Sequence, residues 1–302
     1  MIDQPLGSID AWMNAFESAE IPILQHTQRS LADLAERDAD LTARELGQIA
    51  AHDALLVLQT LRHLQQHRSS HQVTDVATVE RAILMLGVTP LLNRFARNGT
   101  IESALTPHPH GLSEVRRMLF RSHHAALCAA TWAGFRHDID EGEVVTAALL
   151  KDVAEILVCC FAPKLILRIR AMQQRAPQLD DHVVQKAVFG FPLQELQLAL
   201  IARWKLPNVL KLLMDEQQAE HPRARTVLLA TAYARHAARG WNEPELAADL
   251  QAIASLTGLG LEKAEHVTLQ ACRKAFENRA WYGDIALAPP PELRLPGDDI
   301  DQ

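Results

Sequence analysis

The sequence predicts an all-α protein, a multi-helix globular bundle, and three observations carry that expectation. Apolar residues recur three and four positions apart along nearly the whole chain, the spacing of one helix face. Alternating β-branched runs bounded by turn residues are absent. Pro163, Pro192, Pro207, Pro222 and Pro244 each precede a helical pattern, as expected where a fixed φ and a missing N–H suit a first turn. No fixed-period repeat is visible, so a globular bundle is expected and not a superhelix.

Taken in order, Ser8 can cap a short opening helix whose Ile9, Trp12, Met13 and Phe16 form one apolar stripe. Thr42 and Glu45 have capping-box spacing ahead of Leu46 and Ile49, and a further helix carries Leu55, Leu58, Leu61 and Leu64. Thr78 can cap VERAILML, with Gly87 suited to a left-handed stop and Pro90 to the first turn before Leu91, Leu92 and Phe95.

Residues 98–112 are rich in Gly, Pro and polar groups and predict a connection between two helical subdomains. From Ser113, the residues Val115, Met118, Leu119, Ala126 and Ala130 predict one long helix to about Phe135. Glu143 to Phe161 predicts another, nearly all apolar and therefore central. A helix from Pro222 should stop at Gly240, with two more near 245–257 and 261–280; beyond Trp281 the proline-rich, acidic sequence predicts a flexible tail to 302.

Apolar residues make up 48% of the 302 and charged ones 22%, ordinary globular proportions. A formal charge of −7 provides no global positive field for a phosphate backbone, so nucleic acid is not an expected partner. The arginine groups Arg116, Arg117, Arg121 and Arg168, Arg170 read as solvated helix faces. Cys128, Cys159, Cys160 and Cys272 lack CxxC spacing and read as buried, reduced thiols. The first residues lack a basic segment followed by an apolar one, and no apolar run approaches the ~18 residues of a membrane span. A cytoplasmic protein without membrane contact is expected.

The segment most informative about chemistry is AALLKDVAEILVCC, residues 147–160, because a Lys151-Asp152 pair interrupts a buried apolar stretch. A carboxylate there needs a cation, a metal or hydrogen-bond donors opposite it. The simpler alternative places Lys151, Asp152 and Glu155 on an exposed strip. His123-His124 are open to ligand or proton-transfer roles, or to service as helix-surface or satisfied core histidines. His52-Asp53 and His137-Asp138 read as capping or surface pairs, and Trp204 with Leu206-Pro207 as the packed end of a helix. No glycine-rich phosphate loop or Ser-His-Asp arrangement is visible.

Several patterns occur together in one order: Ile21-Pro22 with Leu24; Asp53 ahead of a Leu-rich helix; Leu86-Gly87; LFRSHHAALCAA; AALLKDVAEIL; and Gly190, Glu195, Trp204, Leu206 and Pro207 in FGFPLQELQLALIARWKLP. In these the chain resembles the HDOD family, the HD-related output domain of bacterial signalling proteins and a degenerate relative of HD and HD-GYP metal-dependent phosphohydrolases. The resemblance implies an N-terminal helix (1–20), then an HDOD-like domain (21–280). That domain would comprise an N-terminal helical subdomain (21–100), a degenerate HD-like core (113–240) and C-terminal helices (241–280), before the tail (281–302).

The same resemblance assigns candidate positions in a relic site. Arg121 falls at the first metal-ligand position with Ser122 beside it, although a shift of register would put His123 or His124 there. Lys151-Asp152 replaces the His-Asp pair, Leu193 stands at a downstream histidine position, Glu195 belongs to the closing pattern, and the region of Asp215 and Glu216 replaces paired histidines. Asp152 alone cannot assemble the roughly four to six ligands of a metal site, so no metal, cofactor or hydrolysis is expected. Lys151 is expected to neutralise Asp152 or a neighbouring carboxylate instead, and Arg121 to act likewise.

The function implied is that of a regulatory or scaffold protein that contacts a signalling partner. The alternatives are a divergent phosphohydrolase using His123 or His124 with Asp152, and a silent receptor whose Arg121 and Lys151 hold an anionic ligand such as a nucleotide phosphate.

Overall fold

Side-chain caps start the first helices where the sequence predicts them. Ser8 accepts from the Ala11 N–H at the start of α1 (Ile9–Ser18), which buries Trp12, Met13 and Phe16. The structure is a computed structural model that describes residues 1–37, 41–67, 76–176 and 178–292; its regular elements are helices, with one isolated parallel bridge between Ile23 and Thr100. After α2 (Gln25–Ala35), α3 (Ala43–Ala50) opens on the Thr42–Glu45 capping box, with both reciprocal bonds formed. Asp53 caps α4 (Ala54–Gln66) and Thr78 caps α5 (Val79–Leu86). Gly87, at φ +84°, ends α5 and leads directly into α6 (Val88–Phe95); its ψ of 143° makes the stop an extended one and not the left-handed helical one expected.

Residues 98–112 are more ordered than their composition implies. They contain α7 (Ile101–Ala104) and are bonded to the segment before α2: the Ile23 N–H donates to Gly99, the Ile101 N–H to Ile23, and the Asn98 amide to Ile21. The long helix α8 (Pro109–Ala133) starts at Pro109, ahead of the expected Ser113. Its entry crosses the next proline-led helix so closely that a Cβ on Gly111 would lie 2.5 Å from Pro163, so only glycine fits.

A second correction concerns the apolar stretch from Glu143 to Phe161. It is not one helix but two, α9 (Glu141–Leu150) and α10 (Val153–Phe161), separated at Lys151-Asp152. Prolines then open α11 (Pro163–Arg175) and, from their N-cap positions, α13 (Leu193–Arg203) and α14 (Asn208–Met214), with α12 (Asp181–Phe189) between. The remaining helices are α15 (Pro222–Ala237), α16 (Glu245–Thr257) and α17 (Leu261–Glu277), followed by a 3₁₀ turn at Asn278–Tyr282. Helix α8 is the axis of the bundle: α9, α10, α15 and α17 pack around it and α4 joins them from the N-terminal side. Among the described residues no helix is long and apolar enough to cross a membrane.

The turn after α17 ties the C-terminal region to the N-terminal helices. Trp281 stacks between His26 and His52, each ring centroid 4.2 Å away, and its indole N–H donates to Thr27. Buried Tyr282 donates to the His52 carbonyl at 3.0 Å. Residues 283–292 have no helix, but the Ala288 and Pro291 carbonyls accept from Trp241 and Arg273. The rest of the expected tail, 293–302, lies outside the described residues.

Asp53 holds a second junction. Its carboxylate is fully buried and accepts the Leu55 and Leu56 N–H groups of α4 and the Leu24 N–H ahead of α2. Burial pushes its pKa up to about 6 against the pull of those donors. Replacing Asp53 with Ala strands buried backbone donors and should lower the unfolding free energy by about 2–3 kcal/mol, read from urea denaturation.

Candidate functional site

The break between α9 and α10 has a specific cause. In an uninterrupted helix the Ala154 N–H would bond the Leu150 carbonyl; here the buried side-chain amide of Gln197 stands between them. Gln197 Oε1 accepts from Ala154 at 2.9 Å and Nε2 donates to Leu150 at 3.0 Å, a side chain inserted into the helix ladder. One turn earlier on α13, Gln194 Oε1 accepts from Lys151 Nζ at 2.7 Å while its own amide donates to the Met214 carbonyl. Two glutamines therefore hold open the place where two charged residues leave the helix.

Around that opening the charges interlock. Arg235 Nη2 donates to both Asp152 oxygens, at 2.9 and 3.1 Å, and Arg121 approaches Asp152 at 3.3 Å and Glu155 at 3.6 Å. Arg170 donates to Glu155 at 2.8 Å and also to Glu114. Lys151 pairs with Glu216 at 3.1 Å, and Asp181 lies 3.8 Å from Arg235. Burial alone pushes the Asp152 carboxyl up, but Arg235 and Arg121 outweigh it and hold it well below the usual carboxylate range. Arg170 and Arg235 are held above their ordinary values by the same carboxylates, despite burial.

The expected site residues divide into two sets. Arg121, Lys151, Asp152 and Leu193 come together: Leu193 lines the same cleft and its N–H donates to Gln185. Ser122 is buried in α8, Glu195 is exposed on α13, and neither lines the cleft. His123 and His124 make their bonds elsewhere. His123 Nδ1 pairs with the Ala51 carbonyl at 3.0 Å and its ring lies 4.3 Å from His52; His124 Nε2 meets Cys272 Sγ at 3.1 Å. Burial, reinforced by the neighbouring His52, lowers the His123 pKa to about 3, so it is a neutral core imidazole.

One sequence expectation, that of solvated arginine faces, is corrected here, and two open alternatives are resolved. Lys151, Asp152 and Glu155 are not an exposed strip; Lys151 and Glu155 are buried and the Asp152 side chain is 9% exposed. Arg121 and Arg170 are buried or half-buried ion-pair partners, and Arg116 pairs with Glu102, whereas Arg117 and Arg168 are exposed as expected. Lys151 turns to Gln194 and Glu216 and leaves Asp152 to Arg235. The pair His137-Asp138 lies in a surface turn where Arg136 bonds Asp138, and Trp204 is buried beneath the Arg62 guanidinium, 4.2 Å from its ring centroid.

Arg235, Gln194, Gln197 and Arg170 are the members that sequence reading missed. The glutamines left a trace: they stand three apart in the otherwise Leu-rich LQELQLAL. Arg235, in TAYARHAARG, left none.

The chemistry open to this cluster is limited. Both Asp152 oxygens are engaged by guanidinium groups, and a carboxylate held so far below its usual range is a poor general base. The cations, Arg121, Lys151, Arg170 and Arg235, already face Asp152, Glu155, Glu114, Glu216 and Asp181. The cleft lined by Lys151, Asp152, Glu155, Asp181, Glu216 and Arg235 offers about 50 Å³, space for a few waters.

Gln197→Leu removes the inserted amide and leaves two backbone groups to find new partners, so a loss of about 2–3 kcal/mol is expected in denaturant unfolding. Asp152→Asn removes the nearest counter-charge of Arg121 and Arg235, leaving them only Glu155 and Asp181, and should cost about 3 kcal/mol near neutral pH. The folded carboxyl titrates below its unfolded value of 3.8, so its contribution is present above that pH and is lost as pH falls toward the folded pKa. The stability gap between parent and Asp152→Asn should therefore narrow below about pH 4, measured by unfolding across a pH series.

No sequence match to a curated protein is found. Among solved structures, the MmoQ response regulator of Methylococcus capsulatus strain Bath aligns with a TM-score of 0.61 at 20% identity, covering 83% of this chain and 98% of that one. A virulence factor of Campylobacter jejuni, cj0248, aligns with a TM-score of 0.60 at 16% identity, over 90% of this chain and 100% of the other. At such identities the likeness is one of fold. The family model for the HDOD domain matches residues 21–220, a span running from the Ile21-Pro22 opening through the glutamine-held break to Glu216, and the chain belongs to the HDOD family.

Proposed function

We propose that this protein is a non-catalytic regulatory or scaffold component of bacterial signal transduction, acting through contact with a signalling partner. One observation carries the non-catalytic reading: Asp152, the carboxylate at the position of the family's ancestral ligand pair, has both oxygens occupied by Arg235 and Arg121. Fixed guanidinium charges thus stand where a divalent ion would need free lone pairs, which supports reading the site as a degenerate one. The signalling role is supported by family membership and by the fold shared with a protein described as a response regulator.

The two alternatives have less support. A phosphohydrolase using His123 or His124 would need an imidazole beside Asp152, yet those rings bond Ala51 and Cys272. A receptor for an anionic ligand would need uncompensated cations, yet Arg121 and Lys151 already have carboxylate partners, and the cleft that Lys151 lines is itself rimmed by Asp152, Glu155, Asp181 and Glu216.

The deciding experiment incubates the purified chain with cyclic dinucleotides and mononucleotides in the presence of manganese or iron(II), reading hydrolysis and thermal stability together. Neither turnover nor a nucleotide-dependent rise in Tm is expected. Turnover that disappears in Asp152→Ala would overturn the reading in favour of an enzyme, and a nucleotide-dependent Tm shift would favour a receptor.

A further inference from the structure

Away from the Asp152 cluster, α8 and α17 bring together a second group of side chains that none of the preceding chemistry uses. His124 and Cys128 are four residues apart on α8 and so share one face, and Cys272 meets them from α17, which packs along the same helix. Their donor atoms all lie within 4.8 Å of one another, with His124 Nε2 and Cys272 Sγ 3.1 Å apart. All three are buried. We propose that His124, Cys128 and Cys272 bind a borderline-soft divalent metal ion of the zinc class, locking α17 onto α8.

The donor set fits that ion by number, softness and charge. Zinc bound at about 2.3 Å from sulfur and about 2.0 Å from nitrogen in a tetrahedral arrangement places its ligand atoms roughly 3.5–3.8 Å apart. With all donor atoms within 4.8 Å of one another, the grouping reaches that spacing if His124 and Cys272 part by a few tenths of an ångström and the wider pairs close by up to about 1 Å. Two thiolates and one imidazole also discriminate against magnesium and calcium, which take oxygen ligands. An apolar interior excludes net charge, and a dication held by two thiolates is electrically neutral, so the filled site is compatible with complete burial. Binding is balanced by release of one proton from each thiol to solvent, while the imidazole supplies its lone pair as the neutral base.

The surroundings agree. Tyr233, buried on α15 with its ring roughly perpendicular to that of His124 at 6.3 Å between centroids, adjoins Cys272; the fourth position is left to a neutral donor such as water, which keeps the site uncharged. Trp132, one turn beyond Cys128 on α8, donates its indole N–H to Thr268 of α17 at 3.0 Å, which holds the two helices in register beside the site. Cys159 and Cys160 lie on α10 and take no part. The inference is independent of the proposed function, because the ion would be enclosed by helices and would not contact Asp152.

The test uses the full chain, stripped with a chelator under reducing conditions, then loaded with zinc or cobalt(II). The expected result is stoichiometric zinc by elemental analysis, a cobalt spectrum with thiolate-to-metal charge transfer and intense tetrahedral d–d bands, and a rise in Tm with zinc. His124→Asn and Cys272→Ser should lose the metal and the Tm shift, whereas Cys160→Ser should keep both. The cobalt spectrum of the parent keeps the test valid if a variant fails to fold. Absence of bound metal in the loaded parent overturns the proposal and leaves a hydrogen-bonded thiol–imidazole cluster only. Metal retained in His124→Asn, or lost in folded Cys160→Ser, overturns it by placing the ion elsewhere.

Discussion

A carboxylate buried among packed helices must meet opposite charge, and the centre of this protein is arranged around how Asp152 does so. A carboxylate left unpaired in such a place would neutralise itself by taking a proton; one gripped by two guanidinium groups stays ionised. The grip reaches across the bundle, since Arg121 comes from α8 and Arg235 from α15, and each is itself engaged by a further carboxylate, Glu155 or Asp181. Such a network contributes little if compared with a well-packed apolar core, but its members cannot be removed singly without leaving a charge behind. Its geometry in turn requires that the chain turn aside between α9 and α10, which is the work of one inserted amide.

That dependence explains which parts of the fold could be read from residues alone. Helix starts set by local chemistry were legible: Ser8, Thr42 with Glu45, Thr78 and the helix-opening prolines act on neighbours within a few positions. The division of residues 143–161 was not, because its cause is a glutamine more than forty positions later and nothing within the segment breaks a helix. Composition likewise made 98–112 look like a loose connection, whereas long-range backbone bonds to Ile21 and Ile23 give it a fixed place.

The site was partly legible for the same reason. Asp152 and Arg121 could be named from their pattern within the family, and the geometry does bring them together. Which cation dominates could not, since Arg235 lies eighty-three residues away on a helix with no motif, and Lys151 turns from its sequence neighbour toward Gln194 and Glu216. The adjacent histidines His123 and His124 show how little adjacency fixes on a helix. Successive side chains point about 100° apart, so one ring meets α3 and His52 while the other meets α17.

The aromatic turn at Trp281 and Tyr282 has a consequence for the order in which the protein is made. Its contacts with Thr27 and His52 span 254 and 230 residues of chain, among the widest separations in the fold. During synthesis the early helices leave the ribosome long before their covering aromatic rings exist, and domains on a growing chain assemble from the N-terminus first. The face formed by His26, Thr27 and His52 is therefore uncovered throughout elongation and is closed only when the last helix has been translated.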